Sequence, residues 1–500
     1  MGLGLIGGGV ETVKWLVKEG AKVLVTDLKT KKELKHSLEK LKKLPVKYHL
    51  GKHFASDFKR PDLIIKNPGV SNNSPFLKIA KKNKIPIETD ISLFFKLYQG
   101  QIIGITGTKG KSTTASLIYE ILKSAGLPVK IGGNIGQSPL KYLNVKMLKR
   151  FNVIMVLELS SWQLESLAQD KISPKIAVIT NIYPDHLNRY KNLSEYIEAK
   201  KNIFKYQKPD DFVILNYDCQ ILRKLIKKIS GRLILFSQKS IPPIRANSGV
   251  VVFVKKDKIF LKNIKQKQKI CSLKNIKLLG RHNLENILAA VAIASLYQIK
   301  PKIISQVLEK FSGLSNRLEL IKIVKNIKYY NDTAATTPEA TIAALKALTN
   351  NKTHTLDKKI ILLAGGADKK LKFKKLAKII RKKCRAVILF TGTASPKLKK
   401  QLSIINYHPI YEVGSMKEAV EKAKNLARPR EIILLSPACA SFGLFSPLEI
   451  RQKNILSKIR NKSLRNYVLN CKKQWGIKSL TGFKNEFDRG KQFKGVVRSL

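Results

Sequence analysis

The sequence predicts an α/β protein of three domains built on mainly parallel sheets. Three observations carry this. Apolar runs too short for helices recur at 101–105, 152–157, 176–180, 359–363, 386–390 and 431–435, separated by helical patterns. Glycine-rich turns stand where such units begin, GLGLIGGG near the N-terminus and GTKGKSTT at 107–114. The chain has 500 residues, which suits two to four domains at about 100–200 residues each.

The first segment, 1–100, opens on the glycine turn, with a helix expected over 10–19 and a strand over 21–26 that ends at Asp27. This is the pattern of a dinucleotide-type βαβ unit, with its acidic residue about 20 positions on. The chain begins at the loop, so the strand that should precede the turn is expected either to lie upstream of this start or to be missing. A further strand is expected over 62–66, before Asn67-Pro68-Gly69.

The middle segment, 101–312, begins with the apolar run 101–105, then the glycine loop, then an amphipathic helix over 114–125. Strand, loop and helix in that order make a phosphate cradle, since backbone N–H groups and the helix N-terminus both favour an anion. Lys111 would reach the outer phosphates and the Ser112 hydroxyl would bind Mg²⁺. The general motif has glycine where Ile105 stands, yet Gly107, Thr108, Lys109, Gly110, Lys111, Ser112 and Thr113 keep its core. A tight turn in a lysine-rich chain is the bland alternative.

The next two strand ends carry Glu158 and Asp185-His186. Ligand sites in such sheets lie at the carboxyl ends of strands. Glu158 and His186 could therefore converge beside the loop and hold a divalent cation, although Mg²⁺ prefers oxygen donors. The last segment, 313–500, repeats the alternation of strand and helix. Within it, 446–483 is basic and nearly free of acidic residues.

Composition excludes several classes. The five cysteines are scattered with no CxxC pair, which favours a reducing, cytoplasmic setting over a disulfide or zinc framework. No apolar run approaches the roughly 18 residues of a membrane span, and no secretory leader is evident. The net charge of +62 raises the question of nucleic acid, since lysine and arginine neutralise phosphates. The lysines are spread along the whole chain and are not interleaved with aromatics, so a compositional origin is the better account. A non-catalytic basic binding protein is the rival from another class.

Seven motifs in order resemble the Mur ligase family: GTKGKSTT, GGNIG at 132–136, LELSSWQLE at 157–165, NIYPDHLNRY at 181–190, LLGRHNLEN at 278–286, NDTAATTPEA at 331–340 and LLSPACASFGLF at 434–445. The resemblance implies a Rossmann-like N-terminal domain, a P-loop central domain and a Rossmann-like C-terminal domain. It implies a cytoplasmic ATP-dependent ligase of peptidoglycan synthesis that joins D-glutamate to UDP-N-acetylmuramoyl-L-alanine through an acyl phosphate. The partners are then small molecules, and a monomer is expected. A folylpolyglutamate synthase-like enzyme is the rival in the same class.

By the same resemblance Lys111, Glu158, His186 and Lys200 are catalytic. Ser112, Glu158, His186 and a carbamylated Lys200 hold magnesium, with Lys201 the adjacent alternative. Asn283, Asn286, Arg317 and Asp332 join the glycine loop in binding ATP. Leu5, Ile6 and Asp27 line a uridine pocket; Asn134, Ser160 and Gln163 contact the rest of that substrate; Thr336, Lys369 and Ser441 take D-glutamate. Two departures stand out. Ala334 occupies a position that is lysine in some relatives. The stretch 446–483 interrupts the expected run from SPACASF into FKNEFDRG, and a helix is expected within it over 456–475.

Overall fold

The computed structural model describes residues 1–4, 8–135, 138–143, 153–185, 189–240, 249–263, 266–278, 280–349, 359–368, 371–440 and 486–500. The predicted excursion 446–483 and its helix lie outside them, as do Leu5, Ile6, His186, Lys369 and Ser441. The chain forms two compact units. One comprises Met1–Lys277 with His282–Phe311, and the other Leu278–Arg281 with Ser312–Leu500.

In the first unit the N-terminal part carries two parallel pairs, Val23–Asp27 with Val46–Leu50 and Ile64–Ile65 with Ile87–Glu88. Met1–Leu3 runs between them. The Gly2 N–H donates to the Thr26 carbonyl at 2.8 Å, the Met1 nitrogen to Ile65 O at 2.9 Å, and Asn67 N–H to Met1 O at 2.9 Å. Where a strand was expected to be lacking, Met1–Leu3 thus bridge the two pairs through backbone hydrogen bonds, a stretch too short to read as a strand from sequence. Leu3 is buried with Val10, Val13, Val25 and Leu41.

The rest of this unit is a nine-stranded sheet. Its order runs Lys267–Ser272, Lys258–Lys262, Val251–Lys255, Arg232–Ser237, Phe212–Asn216, Ile176–Ile179, Ile102–Thr106, Ile154–Glu158, Val129–Gly133. Every residue of Ile102–Thr106, Ile154–Glu158 and Ile176–Ile179 is buried. Continuous apolar strands of this kind require cover on both faces, as in a parallel sheet. The order matters for function: the strand feeding the glycine loop lies between the two whose ends carry Glu158 and Asn181–Asp185.

The antiparallel meander at one edge, Val251 to Ser272, was not legible in the sequence. Its first turn places Lys256 and Asp257 at φ +47° and +54°. Two successive positive φ values make the tight hairpin turn that Asn-Gly normally signals, and here Lys-Asp fills it.

The second unit holds a six-stranded sheet in the order Glu319–Val324, Ile327–Asn331, Ile432–Leu435, Ile360–Ala364, Cys384–Phe390, Ile410–Val413, parallel except for the first pair. Its two faces pack separate apolar clusters, one including Leu362, Leu376 and Leu434, the other Leu363, Phe390 and Phe493. The four cysteines among the described residues are free and buried.

Candidate active site

The predicted loop is a strand-to-helix turn. Ile102–Thr106 leads through it into the helix Lys111–Ser124, which starts three residues earlier than the apolar pattern indicated. Gly110 caps that helix at φ +89°, and a Cβ there would sit 2.1 Å from Asn286 Oδ1. Only glycine meets both conditions.

The loop is fastened from the neighbouring strand end. Thr108 N–H donates to Asn181 O at 2.9 Å and Lys109 N–H to Asn181 Oδ1 at 2.9 Å. The Thr180 hydroxyl donates to Lys109 O at 2.6 Å. Lys111 Nζ folds onto its own loop, donating to Gly107 O at 3.0 Å and Thr108 O at 3.2 Å. Thr180 and Asn181 escaped the sequence reading as site residues, although the NIYPDH motif that contains Asn181 was the signal.

Glu158 is buried at the end of the adjacent strand. The Ser112 hydroxyl donates to its Oε2 at 2.6 Å, and Asn134 Nδ2 to its Oε1 at 2.9 Å. A hydroxyl and a carboxylate oxygen held together beside a phosphate cradle match the oxygen donors that Mg²⁺ takes. Among the described residues there is no cluster of three or more His, Cys, Asp and Glu able to hold a metal. Asn134, expected on substrate, here orients the carboxylate.

Lys200, not Lys201, points into this site. It is 1 % exposed, and its Nζ donates to Gly107 O at 3.0 Å and Thr106 Oγ1 at 3.3 Å. Lys201 instead pairs with Glu198 at 2.7 Å on the surface side. Burial, then the nearby Lys111 charge, lowers the Lys200 pKa well below the usual lysine range. A neutral amine is the form that can add CO₂, so the environment suits carbamate formation. The resulting anion would be an oxygen donor that an ammonium cannot be.

Asn286 and Asn283 are buried on the helix Arg281–Leu296. Asn286 Nδ2 donates to Asn283 Oδ1 at 2.9 Å, and Asn286 Oδ1 accepts from Thr114 at 3.2 Å. They abut the loop's helix. Asp27 ties the glycine turn down, accepting from Gly4 N–H at 3.2 Å and Lys29 N–H at 2.9 Å. Ser160 and Gln163 form the reciprocal cap of the helix Ser161–Gln169. Gln163 and Asn134 line a cavity of about 820 Å³ together with Gly4, Gly8, Gly9 and Lys66.

In the second unit, Asp332 closes the strand Ile327–Asn331. Its Oδ2 accepts from the Ser436 hydroxyl at 2.8 Å and its Oδ1 from Leu318 N–H at 3.2 Å. Burial pushes its pKa up to about 7 against those two bonds. Thr336 follows on the same loop, ahead of the helix Pro338–Leu348. Arg317 belongs to the same unit and contributes a favourable charge to Asp332.

Comparison with known proteins gives the family of the chain. Residues 1–89 match the model of the Mur ligase MurD-like N-terminal domain, 105–294 the Mur ligase middle domain, and 316–439 the Mur ligase glutamate ligase domain. UDP-N-acetylmuramoylalanine–D-glutamate ligase of Roseiflexus sp. (strain RS-1) is 40% identical, over 89% of this chain and 94% of its own. The proteins of that name from Borreliella burgdorferi (strain ZS7) and Clostridioides difficile (strain 630) are each 36% identical, covering 100% and 92% of this chain and 97% of their own lengths. Among solved structures, UDP-N-acetylmuramate-alanine ligase from Thermotoga maritima shares the fold with a TM-score of 0.57 at 21% identity, over 87% of this chain and 94% of its own. A MurF ligase from the same organism, solved with ADP, gives 0.51 at 15% identity over 76% and 92%. With three domain models matched in order, and relatives above 30% identity along most of its length, the chain belongs to the Mur ligase family.

Proposed function

We propose that this protein joins D-glutamate to UDP-N-acetylmuramoyl-L-alanine at the expense of ATP. The likeness to ligases of that name along nearly the whole chain carries the choice of substrates. The fastened loop with Lys111, Ser112 and Glu158 fits the phosphate chemistry. Phosphoryl transfer asks a protein for positioning and charge neutralisation more than for a nucleophile, and no nucleophile is needed here. The γ-phosphoryl group passes to the substrate carboxylate, and the amino group of D-glutamate then displaces phosphate from the acyl phosphate.

Lys111 would exchange its bonds to Gly107 and Thr108 for phosphate oxygens. Ser112, Glu158, His186 and a carbamylated Lys200 would hold Mg²⁺. When bound, the cation supplies neutralisation of phosphate charge. Asn283, Asn286, Arg317 and Asp332 would serve the nucleotide. Leu5, Ile6, Asp27, Asn134, Ser160 and Gln163 would serve the UDP-linked substrate, and Thr336, Lys369 and Ser441 D-glutamate. Action as a monomer in the cytoplasm fits this reading.

The test is phosphate release from ATP and Mg²⁺ with UDP-N-acetylmuramoyl-L-alanine, comparing D-glutamate, L-glutamate, a diamino acid and no amino acid. Release that requires D-glutamate is expected. Equal release with L-glutamate, or none in a folded sample, would overturn the proposal.

A further inference from the structure

The C-terminal helix Glu486–Arg498 brings a side chain that none of these roles uses. Arg489 has 0 % exposure and is the largest fully buried side chain among the described residues. Its Nε donates to Thr333 Oγ1 at 2.9 Å, its Nη2 to Thr333 O at 2.9 Å, and its Nη1 reaches Cys439 O at 3.4 Å. One guanidinium thus joins three stretches distant in sequence: the loop after Ile327–Asn331, the turn after Ile432–Leu435, and the last helix.

The approach is tight as well as polar. A Cβ on Gly490 would lie 2.5 Å from Asn316 Oδ1 and 2.7 Å from Thr333 Cγ2. The helix cannot back away easily, because Phe493 and Val497 are buried in the sheet's core and Lys494 pairs with Glu319 at 2.7 Å. The two loops also touch directly: Ala438 N–H donates to Ala335 O at 2.9 Å. Ala438 holds φ +60°, a conformation that survives for a non-glycine residue only where its surroundings impose it.

We propose that Arg489 is a positioning residue for the incoming amino acid. Its planar fork locks the 332–336 loop to the 436–440 turn, and so sets the spacing of the chain segments that carry Thr336 and lead into Ser441. The inference rests on the reading of those two residues as D-glutamate contacts. Asp332 is held by its own bonds to Ser436 and Leu318 and by its N–H to Leu435 O at 2.7 Å. The nucleotide side is therefore expected to feel Arg489 less than the amino-acid side.

Arg489→Lys keeps the charge and loses the fork. Thr333→Val removes the Nε acceptor at nearly constant volume. Both would be studied in the full chain by phosphate release, varying each substrate in turn, alongside thermal unfolding. Arg489→Lys is expected to raise KM for D-glutamate about tenfold or more, with kcat and the KM values of ATP and UDP-N-acetylmuramoyl-L-alanine within about twofold. Thr333→Val should move the same parameter less, and the double variant should be no worse than Arg489→Lys, because both cut one link.

An unchanged KM for D-glutamate in folded Arg489→Lys would overturn the inference. So would a parallel shift of all three KM values and kcat, the mark of a merely structural residue. If Arg489→Lys does not fold, an unchanged KM in Thr333→Val overturns it alone. Wild-type protein lacking D-glutamate-dependent release would instead overturn the proposed reaction, and this inference with it.

Discussion

The glycine loop and the 332–336 loop do comparable work by different means. The first is one continuous turn, Gly107 to Thr113, whose backbone is fastened from outside at Thr180, Asn181 and the Lys200 ammonium. The second is assembled from afar, with Thr333 held by a side chain 156 positions along the chain. A local motif keeps its geometry through backbone conformation. A long-range knot keeps it only while three separate segments are all in place.

The sharpest way to break this comparison is Lys200, where the proposed function calls for a carbamate that the sequence does not encode. Lys200→Arg retains a cation but cannot form a carbamate. It should lower phosphate release about 10²–10³-fold, the scale for removing one preorganised electrostatic group. Protein equilibrated with ¹³C-bicarbonate should show a labelled carbamate carbon that the variant lacks. Full activity in CO₂-free buffer, with no such signal, would sink the carbamate.

The next effect tests how far backbone conformation alone holds the loop. Gly110→Ala meets both a left-handed φ and the Asn286 carboxamide. It should cost about 1–3 kcal/mol of stability and weaken ATP binding, seen as a lower Tm and a higher KM for ATP. If Tm and KM both stay at wild-type values, the loop is softer than drawn.

The smallest expected effect sharpens the other side. Asp332 is raised from the usual 3.8 to about 7 by burial. Between those values the folded chain keeps a proton that the unfolded chain has lost, so wild-type stability falls as pH rises through this window and levels off above it. Asp332→Asn has no proton to lose there. Its Tm relative to wild type should climb from pH 4 to pH 7 and then stay flat. A difference independent of pH would show that Asp332 is not the group responsible.

The same contrast explains what the sequence disclosed. The glycine loop, the buried strands and Glu158 were legible because each is written in consecutive residues whose periodicity or spacing has one physical meaning. Lys200 over Lys201 was legible from the motif, and burial separates the two in the structure. The hairpin at Lys256-Asp257 was not, because its positive φ values are held by residues that rarely adopt them. Nor was the short ladder of Met1–Leu3, since three residues carry no period. Arg489 looked like one basic residue among many, because what distinguishes it is the company it keeps after folding.

The way Lys111 rests on its own loop has a consequence for affinity. Its ammonium bonds to the Gly107 and Thr108 carbonyls, so under the proposed function a phosphate would have to compete with the loop for the same cation. A hydrogen bond to a charged group is worth about 1.5–3 kcal/mol net, so giving up one of them would offset a gain in binding of roughly tenfold to hundredfold. ATP affinity at this site would then be an exchange constant. Substitutions that loosen the two carbonyls without touching phosphate would bind nucleotide more tightly, while holding the lysine less firmly to its loop.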